Sequence, residues 1–397
     1  MVVPARKMRI TLAISSLMGG GAERVAVNMA NYWADRGWAI SILTDSQGSR
    51  PPAYDILPQV IHRDLAFSRG SGHRIPDRET VIALGGLLTD SVRPERAVLL
   101  WDLDLVAALR HAIKEMRPQA VISFLDLTNV RVLLATRGLD VPVIVSEHSD
   151  PIHNNIGAGM ELLRRRLYPQ AKYVVALTDE SMRFFAEMSG VRCKIIPNPV
   201  LPHVGDDCEQ GNDKERLVLM GMGRLSSEKG FDHWLRAVAT VSNDHPGWCL
   251  EIWGEGPLLG WLGRLAAVLG VSDRVRFPGF SRTPHLAMSR ADLFVLPSLC
   301  EGFSNVLCEA MAAGLPVISY DCPTGPRHII RDGVDGVLVP AQNISALAEA
   351  LDHLMGNAHE RKRLAARAPE VAGRFAIHKI MDMWEEILMD HPSRPSG

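Results

Sequence analysis

The sequence predicts an α/β protein of two Rossmann-like lobes, each a parallel sheet flanked by helices. Two observations carry that expectation. Short apolar runs alternate with amphipathic stretches along all 397 residues, the pattern of strand–helix units wound around parallel sheets. The alternation lapses at the polar tract Gly205-Asp-Asp-Cys-Glu-Gln-Gly-Asn-Asp213 and then restarts, which marks a linker. The length leaves room for two or three domains.

In the first half the runs Met8–Ile14, Trp38–Leu43, Val60–Leu65, Ala120–Phe124, Val141–Ser146 and Tyr173–Leu177 read as strands. The start, Arg6-Lys-Met-Arg-Ile-Thr-Leu-Ala-Ile14, has the basic-then-apolar order of a short signal peptide. A glycine loop and a long amphipathic helix follow it instead of a cleavage site, so it reads as the first strand. Residues 66–100 scatter Gly, Pro and Arg and suggest no element. In the second half the strands are Leu217–Met222, Trp248–Trp253, Val275–Phe277, Leu293–Leu296 and Val317–Ser319, and a last helix runs near Ile377–Met389. The expected division is a first lobe over 1–197, a linker over 198–215, a second lobe over 216–375, and a closing helix and tail over 376–397.

Composition is that of an ordinary globular chain, 47% hydrophobic and 22% charged. Net charge is −2, unevenly spread: the first 200 residues hold 24 Lys and Arg against 20 Asp and Glu, the rest 19 against 25. The small basic excess of the first half suits an anionic acceptor or a membrane surface, and is weak support for either. The six cysteines form no C-x2-C pair and have no His-rich partner, so they read as reduced thiols of a cytosolic protein. No run of about 18 apolar residues is present to span a bilayer.

Chemistry concentrates in the loops that follow strands. Glu301-Gly-Phe-Ser-Asn-Val-Leu-Cys-Glu309 follows the apolar run Ala291–Pro297. A helix over Asn305–Ala313 puts Glu301 in the strand-to-helix turn and Glu309 one turn inside. Backbone N–H groups of Phe303, Ser304 and Asn305 would face a phosphate or sugar hydroxyl there. Two carboxylates so placed suit a ligand with two sets of hydroxyls, such as a nucleotide sugar. Taken alone, this spacing is far more often that of a helix whose carboxylates face water; its place after an apolar strand, with Gly302 and Gly314 at the turns, shifts the balance. Gly221-Met-Gly-Arg-Leu-Ser-Ser-Glu-Lys-Gly-Phe231 ends another strand, with Arg224 and Lys229 straddling the turn so that both cations could reach one diphosphate. Ser15-Ser-Leu-Met-Gly-Gly-Gly-Ala-Glu-Arg24 opens a helix after the first strand, and its glycines would let backbone approach a ligand. It lacks the G-x-G-x-x-G spacing of dinucleotide binders.

These strings, in this order, resemble retaining glycosyltransferases of family 4, which have the GT-B fold. The likeness covers nearly the whole chain, strongly from Leu217 to Pro340. It implies two Rossmann-like lobes facing across a cleft, with the closing helix crossing back to the first. It further implies transfer of a hexose or N-acetylhexosamine from a nucleotide sugar, UDP-linked by preference, with retention and no metal or cofactor. The acceptor implied is a glycan, carried on polyprenyl diphosphate, in bacterial polysaccharide or glycoconjugate synthesis on the inner face of the plasma membrane; nucleic acid is not an expected partner. By the same resemblance Arg224, Lys229, Gly20 and Gly21 meet the donor diphosphate, and Glu309 holds the ribose. Glu301 lies by the donor sugar, as does His148 of Val145-Ser-Glu-His-Ser-Asp-Pro151, and Phe280 and Ser281 contact the base.

Other features have plainer readings. Thr324 in Cys322-Pro-Thr-Gly-Pro-Arg-His-Ile-Ile330 reads first as a helix cap. Arg164-Arg-Arg-Leu-Tyr168 reads as a solvated basic helix face. Asp102-Leu-Asp104 matches a metal-binding D-x-D, but precedes a helical pattern and reads as helix-start carboxylates. Tyr168-Pro-Gln-Ala-Lys172 matches the Tyr-x-x-x-Lys of short-chain dehydrogenases, but Pro169 interrupts the helix that pair requires. Two rival functions weigh less. A nicotinamide-dependent sugar epimerase or dehydrogenase would need a dinucleotide fingerprint and an intact Tyr helix, and a non-catalytic sugar-binding homologue need not keep Glu301, Glu309, Arg224 and Lys229 together.

Overall fold

A computed structural model describes residues 7–48, 51–66, 93–202 and 216–390, with only the backbone path for 93–102. Most of the expected linker, Cys208, and residues 67–92 lie outside the described residues. The chain divides into two compact units, Met1–Ile196 with Met381–Gly397, and Pro197–Ile380.

The first unit holds a seven-stranded sheet of β1 (Arg9–Ile14), β2 (Ala39–Thr44), β3 (Ile61–Asp64), β4 (Ala120–Phe124), β5 (Val143–Ser146), β6 (Tyr173–Ala176) and β7 (Cys193–Ile195). Its order is β3-β2-β1-β4-β5-β6-β7 and every pairing is parallel. Strands β4, β5 and β6 are buried along their whole length, as strands covered on both faces must be. The helix Gly21–Asp35 buries Val25, Ala26, Met29, Ala30 and Trp33, the 3.6-residue stripe that docks it on the sheet.

The second unit holds β8 (Leu217–Met222), β9 (Trp248–Trp253), β10 (Val275–Gly279), β11 (Leu293–Leu296), β12 (Val317–Asp321) and β13 (Val337–Pro340). This sheet is ordered β10-β9-β8-β11-β12-β13, again parallel throughout. Trp234, Leu235 and Val238 of the helix Phe231–Val241 pack with Leu293, Val295 and Ile318 in its core. In both sheets the order reverses once, between β1 and β4 and between β8 and β11. At such a switch point the loops at the strands' carboxyl ends splay apart and leave a crevice for a ligand.

The two-sheet α/β fold agrees with the sequence reading, and the structure adds two strands. β7 and β13 are edge strands of three and four residues with at most one fully buried residue each. Pro340 closes β13, a position that an edge tolerates. The closing helix spans Ile377–Met389, and from Met381 onward it belongs with the first unit. There Trp33 Nε1 donates to Glu385 Oε1 at 3.0 Å, and Lys172 Nζ to the Leu388 carbonyl at 2.9 Å. Asp102 and Asp104 lie within the helix Arg93–Met116, so they are not helix-start residues as expected; the helix begins nine residues before Asp102.

Candidate active site

The switch point of the second unit is built from interlocked loops. Gly223 N donates to the Trp253 carbonyl at 3.0 Å, Leu225 N to Glu255 at 2.9 Å, and Gly254 N to Gly279 at 2.8 Å. A Cβ on Gly254 would fall 1.9 Å from the Gly223 carbonyl oxygen, so only glycine permits this approach. The loop after β8 is locked to the loop after β11 in the same manner. Gly230 has φ +60°, and a Cβ there would fall 2.1 Å from the Pro297 carbonyl oxygen. Leu299 N donates to the Glu228 carbonyl at 2.8 Å.

This lock joins two of the expected site residues. Lys229 Nζ lies 2.6 Å from Glu301 Oε1, with Lys229 22% and Glu301 9% exposed. Burial works against the charge on Lys229, but the Glu301 carboxylate and its hydrogen bond outweigh that and hold the ammonium above its usual pKa. Arg224 stands exposed in the same loop. The carbonyl of Glu301 accepts a hydrogen bond from the hydroxyl of Thr324, which is fully buried. Thr324 is therefore not the helix cap that the sequence suggests: Gly325 occupies that place, and Thr324 reaches back to the neighbouring loop.

Beyond Glu301 the chain enters the helix Asn305–Ala312. Its N-cap, Ser304, makes no side-chain cap bond, and its hydroxyl oxygen is buried with no hydrogen-bond partner among the described residues. Such a group at a helix N-terminus suits an incoming oxyanion or hydroxyl. Phe303 is buried against Phe375, ring centroids 5.3 Å apart and edge to face. Asn305 Oδ1 accepts from Asn198 Nδ2 at 2.8 Å. Glu309 is half-buried and four residues on from Asn305, hence on the same helix face. Phe280 is 44% exposed after β10, and the Ser281 hydroxyl accepts from Thr283 N at 3.2 Å.

In the first unit, Gly20 caps the helix Gly21–Asp35. The amides of Gly19 and Gly20 donate to Glu23 Oε2 at 2.5 and 2.8 Å, and the Ser16 hydroxyl donates to Glu23 Oε1 at 2.7 Å. Sequence reasoning passed over Glu23, although Glu three residues after a helix cap is the signature of a capping box. His148 follows β5, its Nε2 3.0 Å from Ser146 Oγ and its ring 5.4 Å from that of Phe124. Burial pushes its imidazole down to about 3, so it is neutral at physiological pH.

Beside it, Glu147 is buried, accepts from the Tyr168 hydroxyl, and has Asn129 Nδ2 at 3.4 Å. Burial first, and Asp126 after it, push Glu147 up to about 7 against the pull of Tyr168, Arg164 and Asn129. Arg164 corrects a second expectation. It is 3% exposed, paired with Glu161 and lying over the rings of Phe184 and Phe185, rather than solvated. Tyr168 lies past the end of the helix Ala158–Leu167, in a short 3₁₀ turn before β6, so the dehydrogenase helix is absent here. Among the described residues, no group of three or more His, Cys, Asp or Glu could hold a metal.

Residues 19–203 match a family model described as Glycosyltransferase Family 4, and residues 207–371 match one described as Glycosyl transferases group 1. Two parallel-sheet Rossmann-like halves carrying these two domains are the architecture of the GT-B glycosyltransferases. The chain thus carries a Glycosyltransferase Family 4 domain followed by a Glycosyl transferases group 1 domain. An exopolysaccharide phosphotransferase of Streptomyces coelicolor is 32% identical over 392 residues, 94% of this chain and 40% of that protein, so the chain spans less than half of that relative. An alpha-1,4-N-acetyl-D-galactosaminyltransferase of Campylobacter jejuni, named for an undecaprenol-linked substrate, is 28% identical over 96% of this chain and 99% of its own length. Two solved structures share the fold. TarM of S. aureus, in complex with UDP, superposes with TM-score 0.78 at 12% identity over 97% of this chain and 100% of its own. HepE of Anabaena, in complex with UDP, gives 0.70 at 22% over 96% and 99%.

Proposed function

We propose that this chain is a retaining, metal-independent glycosyltransferase that moves a hexose or N-acetylhexosamine from a UDP-sugar to a glycan acceptor. The acceptor class we favour is a polyprenyl-diphosphate-linked glycan of a bacterial polysaccharide or glycoconjugate pathway, which is how the Campylobacter relative is named. Such an acceptor would draw the protein to the cytoplasmic face of a membrane. No helix among the described residues is long and apolar enough to cross one.

The observation that carries the reading is the Lys229–Glu301 pair beside the N-terminus of Asn305–Ala312. In the proposed reaction the diphosphate of the donor draws Lys229 and Arg224, and their charge stabilises the departing nucleotide as a cation would. Glu301, released from Lys229, orients the hexose through its hydroxyls. Glu309 holds the ribose, and the amides of Phe303, Ser304 and Asn305 receive donor oxygens. Phe280 and Ser281 border the base. From the first unit, His148 is proposed as a neutral hydrogen-bonding partner of a sugar, and Gly20 and Gly21 as phosphate-facing backbone, on the family resemblance alone.

The test is a thermal-shift screen of UDP-, GDP- and ADP-sugars. Hits would then be assayed for transfer to polyprenyl-diphosphate-linked acceptors, with the anomeric configuration of the product read by NMR. Stabilisation by a UDP-sugar and an α-linked product from an α-linked donor are expected. A screen with no hit, or an inverted product, would overturn the proposal.

A further inference from the structure

We infer that Thr324 is a positioning residue for the transfer step, its hydroxyl setting the pose of the loop that presents Glu301. The inference rests on the reading of Glu301 as the group that orients the donor sugar. Thr324 comes from the turn after β12 and Glu301 from the loop after β11. These strands are adjacent and parallel, pairing Leu296 with Ser319.

Two close approaches join that turn to Glu301, and a third contact braces the turn itself. The buried Thr324 hydroxyl donates to the Glu301 carbonyl. Gly325, at φ +88°, brings its α-carbon so close that an added Cβ would sit 3.0 Å from Glu301 Cβ and 3.5 Å from Phe303 Cα. The turn itself is braced by the Cys322 thiol, which donates to the Thr324 carbonyl at 3.4 Å. On the other flank the loop is tied down through Leu299 N to Glu228 O and through the Lys229–Glu301 ion pair. Lys229 holds the Glu301 carboxylate in the free protein, while the Thr324 hydroxyl holds the backbone from which that carboxylate projects and would keep it in place once a donor draws Lys229 away.

A group that acts by orientation loses its effect when it shifts by an ångström, at a cost of about 100-fold in rate. A change at Thr324 should therefore appear in turnover and spare the part of the donor that Glu301 does not meet. The substitution Thr324→Val keeps the shape and removes the donor hydroxyl; Thr324→Ser keeps the hydroxyl and removes a methyl group. The measurements are UDP release from UDP-glucose, UDP-galactose, UDP-GlcNAc and UDP-GalNAc, calorimetric binding of UDP, and thermal unfolding, with Glu301→Gln run alongside.

The expected result is a kcat reduced roughly 10- to 100-fold in Thr324→Val, UDP affinity within about twofold of the parent, and near-parental kcat in Thr324→Ser. Parental turnover in Thr324→Val with an impaired Glu301→Gln overturns this inference alone. Parental turnover in Glu301→Gln overturns the reading of the site and this inference with it. If Thr324→Val unfolds, Thr324→Ser decides. A loss of kcat there as deep as in Glu301→Gln shows that the hydroxyl is not what matters, and parental kcat with parental UDP affinity supports the inference.

Discussion

Lys229 and Glu301, 72 residues apart, form a 2.6 Å ion pair where the loops after β8 and β11 lock together. Neither charge is left uncompensated in the free protein. In the proposed reaction a donor diphosphate would compete with Glu301 for Lys229, and winning that competition would free the carboxylate for the sugar. Binding and arming of the site would then be one event.

Lys229→Ala should slow transfer by roughly 100- to 1,000-fold, the loss expected when one preorganised charge contact to a leaving group is removed. It should also lower stability by about 1–3 kcal/mol, because Glu301, 9% exposed, would lose its partner. Steady-state kinetics and thermal melts check both, and Lys229→Ala with Glu301→Ala should recover part of the stability but none of the rate. Wild-type rates in Lys229→Ala would remove Lys229 from the site.

The two carboxylates should fail differently. Glu309 is proposed to grip the ribose in substrate and transition state alike, so Glu309→Ala should chiefly raise the donor KM. Glu301 is proposed to act as the sugar leaves, so Glu301→Ala should chiefly lower kcat. UDP carries the ribose without the hexose. Calorimetry should show weaker UDP binding in Glu309→Ala and parental or tighter binding in Glu301→Ala, where Lys229 no longer has to leave a carboxylate; equal weakening would void the division of roles.

Transfer should persist in excess EDTA, since Arg224 and Lys229 are proposed to supply the charge and Asp102 and Asp104 are on an unbroken helix. Loss of activity in EDTA, restored by Mn²⁺ or Mg²⁺, would return the D-x-D pair to consideration.

Stability should depend on pH through two neighbours of opposite sign. His148, at about 3 in the fold against 6.5 in the open chain, contributes stability that is present above pH 6.5 and lost as pH falls toward 3. Glu147, at about 7 against 4.5, contributes stability that is present below pH 4.5 and lost as pH rises through 7. Each effect is on the order of a few kcal/mol. Urea melts from pH 4 to 8.5 should show Glu147→Gln flattening the alkaline limb and His148→Asn the acid limb. Unchanged limbs in either variant would refute the corresponding assignment.

Much of this protein is written locally. The strand-end strings around Arg224, Lys229, Glu301 and Glu309 could be read because each pairs an apolar run with a turn and a polar cluster within about ten residues. The edge strands β7 and β13 were not marked in the sequence; lying at sheet edges, they have at most one fully buried residue each, unlike the central strands. Thr324 was misjudged because a hydroxyl before a helix looks like a cap whether it bonds to its own helix or to the loop beside it. Arg164 was misjudged because its burial depends on Phe184 and Phe185, which arrive from another helix.

By itself, then, the sequence determined the two α/β halves, their strand-to-helix loops and the charged residues those loops carry, because hydrophobic period and turn chemistry act over short spans of chain. Only the tertiary structure decided which charges meet. The Lys229–Glu301 pair, the Thr324 hydroxyl on the Glu301 carbonyl, and the burial that moves Glu147 and His148 in opposite directions all join segments brought together by sheet order. Coulomb and hydrogen-bond energies depend on distance in space, and desolvation depends on what covers a group; a linear reading records neither.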